Sequence, residues 1–229
     1  MTSKVRLVCA TRATRDAFPA TTALGRCLAF YNYAQVELRL FERNTAGPSA
    51  CYNEAIAESA GDPAILVFVH DDVLLCDHFW IDRIIDASRA FDIAGLAGNR
   101  RRLPRQPAWH LVDTLEQWDV RENLSGIIGQ GTGFPPQHLN VYGPPYQEVK
   151  LLDGVLLIAS SAVLIERGLR FDERFDFHLY DLDFCREAEA RGMVMGTWPL
   201  SVVHQSPGHG LGGEGWQRNC ARYLEKWGD

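Results

Sequence analysis

Apolar positions change period several times along the first hundred residues, and each change marks a predicted element. Val5 to Ala10 is apolar at most positions and rich in β-branched residues, which predicts a strand. Pro19 suits a first helical turn, so a helix is expected from there to about Tyr31. Gln35 to Phe41 (Gln-Val-Glu-Leu-Arg-Leu-Phe) alternates polar and apolar residues with strand period. Asn44-Thr-Ala-Gly-Pro48 reads as a loop, and a helix is expected from Ser49 to Ala60, stopped by Gly61-Asp-Pro63. Ala64 to Val69 carries five consecutive apolar residues without alternation, as in a strand covered on both faces of a parallel sheet. A helix over Asp77–Ala90 and a short strand over Phe91–Leu96 follow. This alternation predicts an α/β fold, with an open, mostly parallel sheet and helices on its faces.

The pattern breaks between Asn99 and Lys150, where arginines, six prolines and the glycine-rich stretch Gly126 to Gly133 predict an irregular insertion. Beyond it, Val149–Ala159 reads as one strand and Ser160–Arg167 as a short helix. Asp181–Arg191 reads as a helix ended by Gly192, Val194–Trp198 and Ser201–His204 as short strands, and Glu214–Trp227 as a helical tail.

The chain of 229 residues has the length of one large domain. Its 46% hydrophobic and 23% charged residues exclude a disordered chain, a fibre or a coiled coil. A net charge of −6 argues against gripping nucleic acid through its phosphates. Six cysteines form no C-x-x-C pair, so neither a zinc knuckle nor a disulfide framework is indicated, and reduced thiols are expected. The apolar run at the start is too short for a signal peptide, and Gly154 to Ile165 is too short to span a bilayer. The expectation is a soluble, cytoplasmic protein.

Four constellations could carry chemistry. His70-Asp71-Asp72 follows the buried strand, and ligands of open α/β sheets bind outside the carboxyl ends of strands. His70 and Asp72 would share a side and could ligate Mn²⁺ or Mg²⁺, with nitrogen favouring manganese, while Asp71 could bind a hydroxyl; a polar turn capping the next helix is the alternative. Tyr180-Asp181-Leu182-Asp183 heads a helix with His178 just before it, so either carboxylate could be a general base or a helix cap. His204 opens the loop Gln205-Ser-Pro-Gly208 to Gly213, which suits a third metal ligand or a lid over a diphosphate. Asp153, set among leucines and valine, either stands at a functional opening or pairs with an arginine. The arginines from 100 to 105 read first as a solvated loop.

Phe68-Val-His-Asp-Asp-Val73, Asp153-Gly154, Phe171 to Arg186 and His204 to Gly208 together resemble the streptomycin-biosynthesis-type branch of the family 2-like glycosyltransferases, from about Glu42 onward. The resemblance implies a GT-A fold, a nucleotide-diphospho-sugar donor, an acceptor hydroxyl of unknown identity, a divalent cation (Mn²⁺ or Mg²⁺) and inversion at the anomeric carbon. By position, Asp72 matches the metal end of the family's D-x-D motif, and His70 replaces its first aspartate. Asp181 matches the base, with Asp183 as second choice, and Tyr180 stands where a glutamate is common. His204 matches a histidine that closes on the metal. Thr11, Glu42, Asn44, Asn53, Asp71 and Asp153 fall at donor-binding places. A single domain is implied, with residues 1–98 holding the nucleotide sugar and 99–229 the acceptor and the catalytic groups. Two other readings remain: a sugar nucleotidyltransferase, although Ala10 to Arg15 lacks the glycine a triphosphate turn needs, and a non-catalytic nucleotide- or carbohydrate-binding module.

Overall fold

In the computed structural model, which describes residues 4–31, 36–114, 116–205 and 212–228, strand β1 (Val5–Ala10) is buried over five of its six residues. Helices α1 (Phe18–Thr21) and α2 (Ala23–Leu28) stand where one helix was expected. Thr22 between them is extended, and its hydroxyl oxygen accepts the Gly25 N–H at 3.0 Å, so it caps α2 instead of continuing α1. Strand β2 (Val36–Phe41) lies parallel to β1; Gln35, expected in it, falls outside the described residues. Helix α3 (Ser49–Glu58), the wholly buried β3 (Ile65–Val69) and β4 (Val73–Leu75) come next. Helix α4 (Trp80–Ala90) starts three residues later than expected, because Asp77 accepts the Phe79 N–H and pairs with Arg83 ahead of the first turn. Strands β5 (Ile93–Gly95) and β6 (Ala97–Asn99) end the first half.

The insertion is more regular than its prolines suggested. A 3₁₀ turn (Arg121–Asn123) leads into β7 (Leu124–Gln130), which forms an antiparallel hairpin with β8 (His138–Gly143). The single strand expected over 149–159 is three: β9 (Glu148–Val149), β10 (Leu151–Leu152) and β11 (Leu156–Ser160). Asp153-Gly154 turns the chain before β11. Helices α5 (Ser161–Glu166) and α6 (Tyr180–Ala190), strands β12 (Met195–Thr197) and β13 (Val202–His204), and helix α7 (Glu214–Trp227) complete the chain.

The main sheet has the order β2-β1-β3-β11-β5-β12-β9, in which β2, β1, β3, β5 and β12 run one way while β11 and β9 oppose them. Helices α3, α4, α5 and α6 pack against it, giving the expected α/β sheet with flanking helices. A second sheet, β10-β6-β7-β13-β4 with β8 on the other edge of β7, is antiparallel apart from the β7–β13 pair. The chain crosses between the sheets at β3–β4, β4–β5 (through α4), β5–β6, β8–β9, β9–β10, β10–β11 and β12–β13. All six cysteines are free, and no helix among the described residues is long and apolar enough to cross a membrane.

Candidate active site

Two of those crossings build the site. His70-Asp71-Asp72 is the tight turn between β3 and β4, tied to the β10–β11 crossing where the His70 N–H donates to the Val155 carbonyl at 3.1 Å. Register does the rest: β13 pairs antiparallel with β4 so that His204 stands opposite Val73, and the Gln205 N–H donates to the Asp72 carbonyl at 2.9 Å. His70, Asp72 and His204, separated by up to 134 positions in sequence, thereby bring one ligand atom each within 4.8 Å of one another.

The electrostatics of this cluster suit a cation. His204 Nε2 lies 3.3 Å from Asp72 Oδ2. Burial opposes charge on Asp72, yet the His204 hydrogen bond holds its carboxyl below the usual range. Burial likewise lowers His204, but Asp72 outweighs it and leaves the imidazole above its ordinary value. Asp72 Oδ1 is buried with no hydrogen-bond partner, an orphan that costs free energy unless something positive meets it. Burial lowers His70, keeping it neutral. The Tyr180 hydroxyl donates to the Gly154 carbonyl at 2.7 Å, so the 3.0 Å contact between His70 Nε2 and that hydroxyl has the imidazole as donor, leaving Nδ1 with its lone pair. A neutral imidazole, an ionised carboxylate and a second imidazole fit a divalent ion, with the nitrogens favouring Mn²⁺ over Mg²⁺.

Across the turn stands a carboxylate of a different kind. Asp181 Oδ2 accepts the Gly154 N–H and Oδ1 accepts the Leu182 N–H, both at 3.0 Å. Burial, and then the nearby charge of Asp153, push its carboxyl up to about 7. Leu179 before it holds a left-handed conformation (φ 62°), an uncommon state for leucine that turns the chain into α6 and faces Tyr180 and Asp181 toward Gly154. Gly154 permits the approach: a Cβ there would lie 2.5 Å from the Tyr180 hydroxyl and 2.9 Å from Asp181 Cβ. Among the described residues Asp153 pairs with no arginine. It accepts the Trp109 indole N–H at 2.8 Å and stands at an opening.

Two cavities meet over this ground. One, of about 210 Å³, is lined by His70, Asp72, Trp109, Asp153, Asp181 and His204 among others. The other, of about 460 Å³, is lined by Thr11, Asn44, Tyr52, Asp71, Asp176 and Arg218 among others. His70, Asp72, Phe177 and His178 wall both. In the larger cavity Thr11 Oγ1 donates to Asp71 Oδ2 at 2.5 Å, and Asn44 closes its own loop by bonding the Gly47 carbonyl and the Ala46 N–H.

Three sequence candidates lie elsewhere. Asp183 is fully buried behind α6, where it pairs with Lys226 and accepts the Trp227 indole N–H at 2.8 Å. Asn53 spends its amide on Phe171 and Glu173. Glu42 accepts the Arg15 N–H on the surface. Residues 206–211, most of the expected lid, lie outside the described residues. Of the basic cluster, Arg101 pairs with Asp119 and Arg102 with Glu189. Trp109, Trp216 and Phe177 line the cavities without having been singled out. The one signal for Trp109 was a tryptophan inside a proline- and arginine-rich loop, where nothing local requires burial.

Residues 34–206 match the family described as Glycosyltransferase like family. Among solved structures, residues 1–349 of TarS from S. aureus align with 89% of this chain at 13% identity and a TM-score of 0.47, and a second TarS structure aligns with the same share at 12% and 0.47. The chain spans 61% and 37% of those two proteins' lengths. No curated protein sequence matches it.

Proposed function

The chain belongs to the Glycosyltransferase like family, and from that premise we propose that it is a metal-dependent, inverting enzyme of the GT-A type, transferring a sugar from a nucleotide-diphospho-sugar to an acceptor hydroxyl. The observation that carries this reading is the shared wall. The cavity holding His70, Asp72 and His204 also holds a carboxylate, Asp181, whose pKa lies near neutrality.

On this reading the nucleotide occupies the larger cavity, where Thr11, Asn44 and Asp71 offer polar groups to base or ribose. The diphosphate lies over the His70–Asp72–His204 cluster, and the sugar points into the smaller cavity. His70, Asp72 and His204 would hold a divalent cation, which when bound would offset the negative charge that grows on the departing diphosphate. Asp181 takes the acceptor proton as that oxygen attacks the anomeric carbon from the face opposite the leaving group. A base with a pKa near 7 is matched to this work, which contributes about 10²–10⁴-fold. Tyr180 acts through its neighbours, fixing the His70 ring and the Gly154 carbonyl at once.

The test is a thermal-shift and turnover panel of nucleoside diphosphates and nucleotide sugars with and without Mn²⁺. A ligand held only by the folded state must raise the melting temperature. Manganese-dependent stabilisation by at least one nucleotide, with release of that nucleotide from its sugar conjugate, is expected. Absence of both across the panel would overturn the assignment.

A further inference from the structure

We infer that the acceptor is itself a saccharide, held on an aromatic subsite formed by Trp109, Tyr142 and Trp118; this rests on the transferase reading above and names its second substrate.

The insertion is organised around Trp109. Its backbone carbonyl accepts two side-chain amides, Asn99 Nδ2 at 2.9 Å and Gln106 Nε2 at 3.0 Å, both from buried residues. Asn99 also donates to Asp119, whose own N–H donates to the His110 carbonyl at 2.9 Å. Two buried amides on one loop carbonyl fix the residue far more firmly than chain closure needs. Their effect is to hold the indole with its N–H on Asp153 Oδ2 at 2.8 Å, at the wall of the smaller cavity.

From that wall a run of rings leads outward. Trp109 meets Tyr142 edge to face at 4.8 Å between centroids, and Tyr142 stacks on Trp118 at 5.8 Å with 15° between the planes. His110 bridges Trp109 and Trp118, at 4.9 and 4.8 Å. At the outer end Trp118 leaves 52% of its surface in water. Indole surface left wet, braced by Tyr142 and His110 and joined through them to Trp109 at the cavity wall, is suited to covering a flat apolar face.

Chemistry selects the occupant. A pyranose presents C–H groups on one face, which an indole covers, and hydroxyls on its rim, which a carboxylate accepts. Asp153, oriented by Trp109, supplies that carboxylate within the same cavity as Asp181. A lipid chain there would strip water from Asp153 and Asp181 without replacing its hydrogen bonds. A phosphorylated acceptor would meet like charge. The acceptor's reacting sugar therefore enters the smaller cavity on its Trp109–Asp153 side, facing the donor sugar, and Trp118 takes its neighbour in a glycan.

The test combines an array of immobilised glycans, from monosaccharides to tetrasaccharides, with a parallel titration of the wild-type protein by UDP, GDP and dTDP in Mn²⁺. Binding of at least one glycan is expected, about tenfold weaker for Trp118→Ala and close to wild type for Trp118→Phe, which keeps a ring. Melting temperatures of both variants near that of the wild type show that the change is local. Equal glycan binding by wild type and Trp118→Ala would overturn the subsite. Nucleotide binding with no glycan bound would overturn the saccharide acceptor while leaving the transferase reading intact. Failure to bind any nucleotide would strike that reading itself.

Discussion

Replacing Asp181 by asparagine separates the proposed base from its energetic cost. Burial, followed by the charge of Asp153, raises this carboxyl from 3.8 to about 7. The folded protein therefore keeps a proton on Asp181 at mildly acidic pH that the unfolded chain releases. Stability present below about pH 4 is lost as pH rises to about 7. At about 1.4 kcal/mol per unit the full window amounts to roughly 4 kcal/mol, of which about 3 kcal/mol falls between pH 5 and pH 8. The cavity is open to solvent, so these are ceilings. Asparagine does not titrate, but its side chain cannot accept both the Gly154 and Leu182 N–H groups, a loss of about 1–2 kcal/mol at every pH. Urea denaturation in EDTA at pH 5 and pH 8 should then show Asp181→Asn less stable than wild type at pH 5 and equal or more stable at pH 8, with turnover abolished. Parallel stability–pH curves for the two proteins would refute the reasoning, because they would mean that Asp181 ionises alike in the folded and unfolded states.

Three further outcomes follow from the geometry. Gly154→Ala forces a methyl group against the Tyr180 hydroxyl and Asp181, and should cost roughly 1–3 kcal/mol in urea denaturation and at least about tenfold in kcat. Asp72→Asn removes the ionised oxygen of the cluster, so the rise in melting temperature caused by Mn²⁺ should vanish while calorimetry shows an intact cooperative transition. Asp183→Asn should destabilise by about 1–3 kcal/mol, since Lys226 and Trp227 lose a buried acceptor, with nucleotide affinity in fluorescence titration unchanged, in contrast to substitutions in the cavity.

What could be read from sequence alone divides along a physical line. The unbroken apolar run at Ile65–Val69 required cover on both faces, and the structure buries all five residues. Alternation in Val36–Phe41 and the placing of His70-Asp71-Asp72 at a strand end rested on equally local signals. Sequence could not tell which sheet a strand would join. Leu151 to Ser160 is apolar almost throughout, yet its first two residues pair with β6 and its last five with β3, so the break at Asp153-Gly154 was invisible to hydropathy. Nor could local pattern separate Asp181 from Asp183, two positions apart on one helix. The difference lies in what each meets, Gly154 on one side and Lys226 and Trp227 on the other. Asn53 looked like a polar residue available to a ligand, but residues more than a hundred positions away use its amide.

Because seven passages of the chain stitch the two sheets together, neither can swing away from the other as a rigid flap. The bond His70–Val155 extends the β3–β11 ladder of one sheet and Gln205–Asp72 extends the β4–β13 ladder of the other, so the turn that forms the pocket floor is pinned to both. The floor is accordingly a fixed anvil, and accommodation of ligands of different size falls to the loops around it. Amide protons of residues 70, 155 and 205 should thus exchange no faster in the presence of ligand than in its absence.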